Sequence, residues 1–522
     1  MKDEIFFRDK LEDEWEANEV YAILSECDKD FEPPLSERGS TVQKTWEKKS
    51  GDGVRNYFNE VAKQHTLLLK REKKIIAFLS FRSMEECEAL KKFTGNICLI
   101  LPRLCIRKEY RGQGLALVLY QKAKEYVEES SRYTVMALRT WSTNKAQLHL
   151  MEKMDFHCET RLKNDRGEGI DTLYFVKEIT GKGIRAYGYT IGNGKCGIRN
   201  TITDVPGVKV GHYTVRKGKN QTGVTVIIPC DGFVYERKPL AAVYALNGFG
   251  KTQGTVQIEE LGVLETPIAL TNTLNVGKAA DGLVTFTEKE CRKNGKELVS
   301  VNPVVGETND SRINQITERV IEAEDVLFAI EHAEKNFKQG AVGAGRGTVC
   351  FGLKGGIGSA SRILTFGGKE YTIGVLVQSN FGKTQDLTVA GVPVGRQICT
   401  KMQNSAKEDK GSIMVIVGTD LPLGERQLKR VLKRAAVGLI RTGSFMGHGS
   451  GDVFIGFTNA NGIPDTKEEQ FHMMKYFPEN QLDKVFRLVA EAVEESILNS
   501  LTCAKAMPGR DGEIYHSLSE FL

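Results

Sequence analysis

The sequence predicts a mixed α/β (α+β) protein in two modules: a mixed sheet with flanking helices, then a layered α/β sandwich. Three observations carry this. The chain has 522 residues, more than one compact core ordinarily serves at roughly 100–200 residues per domain. Its glycines are unevenly spread, since residues 1–180 hold 8 of the 53, together with all three tryptophans, Trp15, Trp46 and Trp141. Apolar strand-like runs alternate with helically spaced segments along the chain.

Composition excludes several classes. With 40% hydrophobic and 27% charged residues, the chain has the make-up of a folded globular protein. A formal net charge of +5 over 522 residues is too small to call for nucleic acid or an anionic membrane surface. No run approaches 18 apolar residues, so no spanning helix is expected. The acidic first twenty residues lack the features of a secretory signal, and the 11 cysteines form no paired CxxC arrangement. A cytoplasmic protein with free thiols is therefore expected.

From residue 65 the pattern reads strand, turn, strand: HTLLLK, the charged REKK turn, then IIAFLSF. Residues 96–107, NICLILPRLCIR, read as one buried strand. KEYRGQGLA follows, and LALVLYQKAKEYVEE then carries helical spacing. Arg111, Gly112, Gln113, Gly114, Leu115 and Ala116 thus stand where a strand passes through a glycine loop into a helix. Successive N–H groups there, aligned with the helix dipole, suit an anion, and glycine lets a pyrophosphate approach the main chain.

The segment RLCIRKEYRGQGLALVLY, with Arg111, Gly114 and Ala116 at the motif positions, resembles the acetyl-CoA loop of the GNAT acetyltransferase superfamily. VMALRTWSTNKAQLHLMEKMDF resembles the strand and helix that follow it, with Asn144 at the cofactor-side asparagine. The likeness covers about residues 60–178 of a module spanning 1–180. It implies acetyl-CoA in a V between two splayed strands, the Leu104 and Ile106 main chain along the pantetheine arm, and residues 111–116 at the pyrophosphate. Two positions depart from the family. Met151 stands where many members have a proton-donating tyrosine, and Asp155 replaces the usual glycine before the closing Phe156. Cofactor binding is better supported than acetyl transfer.

After a glycine-rich linker, a second module spans 183–522. Short apolar runs recur at GVKVGHYTV, GVTVIIPC, TPIALTNTLNVG, GTVCFGL, YTIGVLVQSNFG and GSIMVIVGTDLPL. Helices are predicted at 313–334, 425–441 and 483–501. Strands apolar on both faces, packed with helices, indicate the sandwich. His212 and His448 lie in glycine-rich contexts without HExxH or CxxC, so no metal site is predicted. Ser450 in GHGSGD does not fit the GxSxG elbow, and KGGIGSASR lacks phosphate-loop spacing.

The informative segment is EDKGSIMVIVGTDLPL, where Gly411 precedes Ser412, the first residue of a strongly apolar run. By itself this is an ordinary strand start. It is also what self-cleavage needs: an unhindered glycine carbonyl and a hydroxyl able to attack it. Scission frees a serine whose α-amine, with a reference pKa of about 7.7–8.0, serves as its own general base.

NTITDVPGVKVGH, YALNGFGKTQG, TPIALTNTLNVG, VNPVVGETND, GAVGAGRGTVCFGLKGGIGSASR, GVLVQSNFG, KGSIMVIVGTDLPL, QLKRVLKRAAVGLIRTGS and GSGDVFIGF, in order, resemble the self-processing aminopeptidases that include L-aminopeptidase/D-esterases and β-peptidyl aminopeptidases. That resemblance implies an N-terminal-nucleophile-like sandwich cleaved between Gly411 and Ser412, with Ser412 the acyl-enzyme nucleophile. Asn380 would donate to the oxyanion, Ser450 and Asp452 would position Ser412 from one side of a strand, and Glu307 would meet the substrate's ammonium. Members often carry Glu at the position of Asp452, and some use a tyrosine near Glu307, where this chain reads ETNDSRIN. The implied substrate is a small peptide, amide or ester with a free N-terminal amine. The peptidase would need no cofactor, and processed protomers would form a homo-oligomer, commonly a tetramer. Two other readings stand beside this one: acyl transfer as in ornithine acetyltransferases, and an acetyl-CoA sensor controlling the peptidase.

Overall fold

The structure, a computed structural model, describes residues 3–37, 53–84, 88–90, 97–100, 104–129, 135–178, 181–402, 411–465, 469 and 471–522. The chain divides into two compact units, Met1–Ile179 and Thr180–Leu522.

The first unit holds β1 (Asp3–Arg8), α1 (Glu14–Glu26), α2 (Gly53–Val61), β2 (His65–Arg71), β3 (Lys74–Met84), β4 (Ile97–Ile100), β5 (Leu104–Ile106), α3 (Leu115–Glu129), β6 (Val135–Trp141), α4 (Lys145–Lys153), β7 (His157–Leu162) and β8 (Thr172–Glu178). The strands form one sheet in the order β1-β2-β3-β4-β6-β8-β7, with β5 paired to β3. Alternation along β2 sends Leu67 and Leu69 to a core shared with α3 and α4, and Leu68 to one shared with α1 and α2.

The single strand expected over 96–107 is two. Arg82 lies opposite Leu99 but Leu79 opposite Leu104, a two-residue shift in register along β3. β4 runs parallel with β6, Ile97 opposite Val135 and Ile100 opposite Leu138. Among the described residues β5 pairs only with β3, so the central strands part beyond Ile100. A run of apolar residues cannot signal such a break, because both pieces are strand.

The second unit contains β9 (Lys209–Lys217), β10 (Asn220–Ile228), β11 (Arg237–Gly248), α5 (Thr255–Leu261), β12 (Ile268–Asn272), α6 (Val276–Lys293), β13 (Val304–Thr308), α7 (Ala323–Glu331), a short hairpin β14 (Val349–Cys350) and β15 (Leu353–Lys354), β16 (Ile357–Phe366), β17 (Lys369–Asn380), α8 (Val394–Met402), β18 (Ser412–Thr419), α9 (Glu425–Arg441), β19 (Gly451–Pro464) and α10 (Leu482–Thr502). A five-stranded sheet, β11-β19-β18-β17-β16, faces a four-stranded sheet, β13-β12-β10-β9. Between them pack Leu376, Met414 and Ile455 against Val210, Ile268 and Leu270. Ile413, Val415 and Val417, on the other face of β18, pack against α9 and α10, while Val224, Val226 and Ala269 of the smaller sheet meet α6 and α7. The result is a four-layer α/β/β/α sandwich, and β18, apolar on both faces, lies in its middle.

The helix expected over 313–334 is only α7, preceded by a single turn at Ile316–Glu318. Helix α6 was not foreseen. It carries Gly282, where a Cβ would lie 2.6 Å from Val326 Cβ, so glycine there permits close packing of α6 on α7 at the expense of helix propensity. Among the described residues no helix is long and apolar enough to cross a membrane.

Candidate active site and a candidate cofactor cleft

Three strand ends meet at one rim of the five-stranded sheet. Asn380 is the last residue of β17, Ser412 the first of β18 and Gly451 the first of β19. Ser412 lies opposite Asn380 in the antiparallel ladder and opposite Gly451 in the parallel one. The Gly451 N–H donates to the Gly411 carbonyl at 3.1 Å, which polarises the carbonyl of the peptide bond joining Gly411 to Ser412. A Cβ on Gly411 would stand 2.3 Å from both the Asn380 carbonyl oxygen and Phe381 Cα, so the approach of β17 admits only glycine.

Ser412 and Asn380 line a cavity of about 750 Å³ together with Glu307, Gly411 and Thr273. The Asn380 side-chain carbonyl accepts the Val349 N–H at 3.0 Å, leaving its NH₂ group as the donor. Glu307, on β13 of the other sheet and only 4% exposed, accepts the Lys251 N–H at 2.8 Å and the Thr273 hydroxyl. The two donors leave lone pairs on this buried carboxylate that can receive a cation.

Ser450 and Asp452 share a side as their spacing predicts, the Ser450 hydroxyl donating to Asp452 Oδ1 at 2.7 Å. Both are buried and neither lines the cavity, and among the described residues Ser412 makes no side-chain hydrogen bond to either. They flank Gly451 and so stand directly behind the nucleophile-bearing rim. Behind the loop that follows Glu307, Asp310 accepts the Thr222 hydroxyl at 2.6 Å and the Asn314 amide at 3.0 Å. Burial pushes its carboxyl up to about 6, against the hydrogen bonds from Thr222, Asn314 and Asn272 that favour ionisation.

Sequence reasoning missed other lining residues: Phe249, Lys251, Arg312, Lys383, Phe445 and His448. Most sit within or beside the quoted blocks, one to five residues from a named position, but nothing local says that they face the same space.

In the first unit, the parting of β5 from β6 opens a cleft of about 240 Å³ lined by Leu104, Ile106, Arg111, Ala116, Trp141 and Asn144, among others. Gly112 and Gly114 adopt φ of +77° and +76°, a left-handed conformation that glycine takes without strain, with open space where a Cβ would stand. Among the described residues the N–H groups of 112–116 find no acceptor. Gly112, Gln113, Gly114 and Leu115 do not line the cleft itself. Gln113 accepts from Arg71, and Leu115 is buried in the core. Asn144 lines the cleft and also caps α4 by accepting the Gln147 N–H. The Arg111 guanidinium turns inward to Asp30 at 2.6 Å and the Cys27 sulfur at 3.3 Å. The Cys27 thiol is lowered, first by its hydrogen bond with Cys105 and then by Arg111. Met151 is fully buried in the core rather than in the cleft.

The family model described as Peptidase family S58 matches residues 200–515, and that described as Acetyltransferase (GNAT) family matches residues 19–156. The acetyltransferase match thus begins at residue 19, well before residue 60, and takes in the C-terminal part of α1. A beta-peptidyl aminopeptidase BapA of Sphingosinicella microcystinivorans is 37% identical over 343 residues, covering 61% of this chain and 85% of the relative. The PH0078 protein from Pyrococcus horikoshii OT3 aligns with a TM-score of 0.61 and 46% identity over 65% of this chain and 96% of its own. The L-aminopeptidase D-Ala-esterase/amidase of Ochrobactrum anthropi, described as a prototype serine aminopeptidase with a variant Ntn hydrolase fold, aligns with a TM-score of 0.60 and 34% identity over 64% and 95%. With the family model spanning more than half of its length and the strand-end rim in place, the chain belongs to peptidase family S58, and it carries a GNAT domain ahead of the peptidase.

Proposed function

We propose that the second unit is a self-processing aminopeptidase that cleaves its own chain between Gly411 and Ser412. The observation that carries this reading is the meeting at one cavity of Ser412, the Asn380 amide, the Gly451-bonded Gly411 carbonyl and the buried Glu307. The Ser412 hydroxyl attacks the Gly411 carbonyl carbon. A C–O bond forms, the C–N bond breaks, and the proton lost from oxygen passes to the departing amine. Water then hydrolyses the ester, releasing a Gly411 carboxylate and a Ser412 with a free α-amine.

In turnover, Glu307 receives the substrate's N-terminal ammonium and sets the following amide or ester over Ser412. The Ser412 amine takes the hydroxyl proton as the oxygen attacks, and the Asn380 NH₂ donates to the oxyanion, a contribution typically of a few kcal/mol. The same amine returns the proton to the leaving group, and water resolves the acyl-Ser412 ester. Ser450 and Asp452 position the new terminus from behind. The family likeness supports small peptides, amides or esters as substrates and a cytoplasmic homo-oligomer, a tetramer of processed protomers, as the working form. Denaturing mass spectrometry of purified protein is expected to show two chains parted between Gly411 and Ser412, and Ser412→Ala to stay whole and inactive. An intact, active wild type would overturn the reading.

The first unit binds acetyl-CoA on the same kind of support. The unpaired N–H groups of residues 112–116 fit the pyrophosphate, and the β5 main chain at Leu104 and Ile106 fits the pantetheine arm. When bound, the thioester would supply an activated acetyl group. Met151 offers no proton, so the tyrosyl acid of the family is lacking, and among the described residues the cleft's own ionisable groups besides Arg111 are Cys27, Cys105 and Asp30. Calorimetric titration with acetyl-CoA checks binding separately from transfer.

A further inference from the structure

The cavity at Ser412 is unequally charged. Among the described residues that line it Glu307 is the one carboxylate, whereas Lys251, Arg312 and Lys383 all line it as cations. Arg312 and Lys383 are half-buried. Among the described residues none of the three cations pairs with a carboxylate, and the two lysines lie against aromatic rings at the rim: the Lys251 ammonium is 4.9 Å from the Phe249 ring centre and the Lys383 ammonium 5.6 Å from that of Phe445. Glu307 is engaged by the Lys251 main chain and Thr273, so it does not neutralise them by contact.

Partly desolvated cations without counter-charges are costly unless an anion arrives with the ligand. The cations also come from three separate elements: the loop after β11, the loop after β13 and the turn after β17. Their convergence on one space is therefore a property of the site and not of a single charged stretch.

We infer that this cavity is built for short zwitterionic peptides, whose ammonium meets Glu307 and whose free carboxylate, at the C-terminus or on the second residue, meets the cationic group formed by Arg312, Lys383 and Lys251. The inference rests on the aminopeptidase reading and narrows its substrate class: dipeptides and tripeptides with a free carboxylate are preferred over the corresponding amides. A guanidinium-carboxylate pair in a half-buried site gains from charge-assisted hydrogen bonds, and the preference is expected to be about tenfold or more in kcat/KM.

The test uses the processed full-length protein and three substrates: β-alanyl-L-alanine, its C-terminal amide, and β-alanine p-nitroanilide, which has no carboxylate. The free acid is expected to exceed the amide about tenfold at low salt, with the ratio shrinking as salt rises. In Arg312→Gln with Lys383→Gln the acid-to-amide ratio is expected to fall towards one, and in Lys383→Glu below one. Circular dichroism and anilide turnover report whether each variant is folded and processed. Equal rates for acid and amide in the wild type, or an unchanged ratio in the variants, would overturn the inference while the anilide shows the aminopeptidase reading intact. The second outcome would assign the cations instead to the Gly411 carboxylate released by self-cleavage. Silence towards all three substrates would sink the aminopeptidase reading and the inference with it.

Discussion

Val349 donates its main-chain N–H to the Asn380 side-chain carbonyl at 3.0 Å. The bond fixes which end of the amide faces the cavity, because an oxygen already accepting from the β14 main chain leaves the NH₂ group for the space beside Ser412. Asn380→Asp keeps the acceptor for Val349 and removes the donor. On processed protein, kcat is expected to fall about 10²–10³-fold with little change in KM. Steady-state kinetics measure this, and a variant turning over at the wild-type rate would remove Asn380 from the oxyanion role.

Gly411 is confined by the end of β17. A methyl group there would overlap the Asn380 carbonyl oxygen and Phe381 Cα at 2.3 Å, distances that force β17 and β18 apart. Gly411→Ala is expected to slow self-cleavage at least tenfold and to cost about 1–3 kcal/mol in stability, as overpacking does. A time course on denaturing gels would follow the precursor. Processing at the wild-type rate would mean that the scissile peptide does not depend on this approach.

Asp310 links the loop after Glu307 to pH. Its carboxyl, pushed up to about 6 mainly by burial, holds its proton in the folded state at pH values where the unfolded chain, near 3.9, has lost it. The folded state therefore binds more protons between about pH 4 and 6, and stability falls as pH rises through that window, by about 3 kcal/mol in all. Above about pH 6 the loss is complete. Asp310→Asn removes the titration and keeps hydrogen-bonding atoms for Thr222 and Asn314. Urea midpoints at pH 4 and pH 6.5 are expected to drop more in the wild type than in the variant. An identical pH response in both would assign the dependence elsewhere.

Much of the fold was legible because it is local. The run SIMVIVGT is strand from Ser412 to Thr419, apolar on both faces because two cores meet there. The amphipathic spacing over 425–441 coincides with α9, Glu425–Arg441. The strand alternation of Ser450 and Asp452 shows directly in their 2.7 Å hydrogen bond. Where local signals mislead, tertiary contacts decide. Gly282 lowers the helical propensity of α6 but fits against Val326, and the continuous apolar run over 96–107 conceals a change of partners between β4 and β5.

By itself the sequence determined the two kinds of module, the order of their motifs and the Gly411–Ser412 step, since each is written in residues adjacent along the chain. Only the tertiary structure decided that Gly451 reaches the Gly411 carbonyl, that Val349 orients Asn380, and that Lys251, Arg312 and Lys383 line the same space as Glu307. The physical reason is the ladder of the sandwich. Strands distant in sequence end at the same rim because hydrogen-bond register and core packing align them, and neither is encoded in the local run of any one strand.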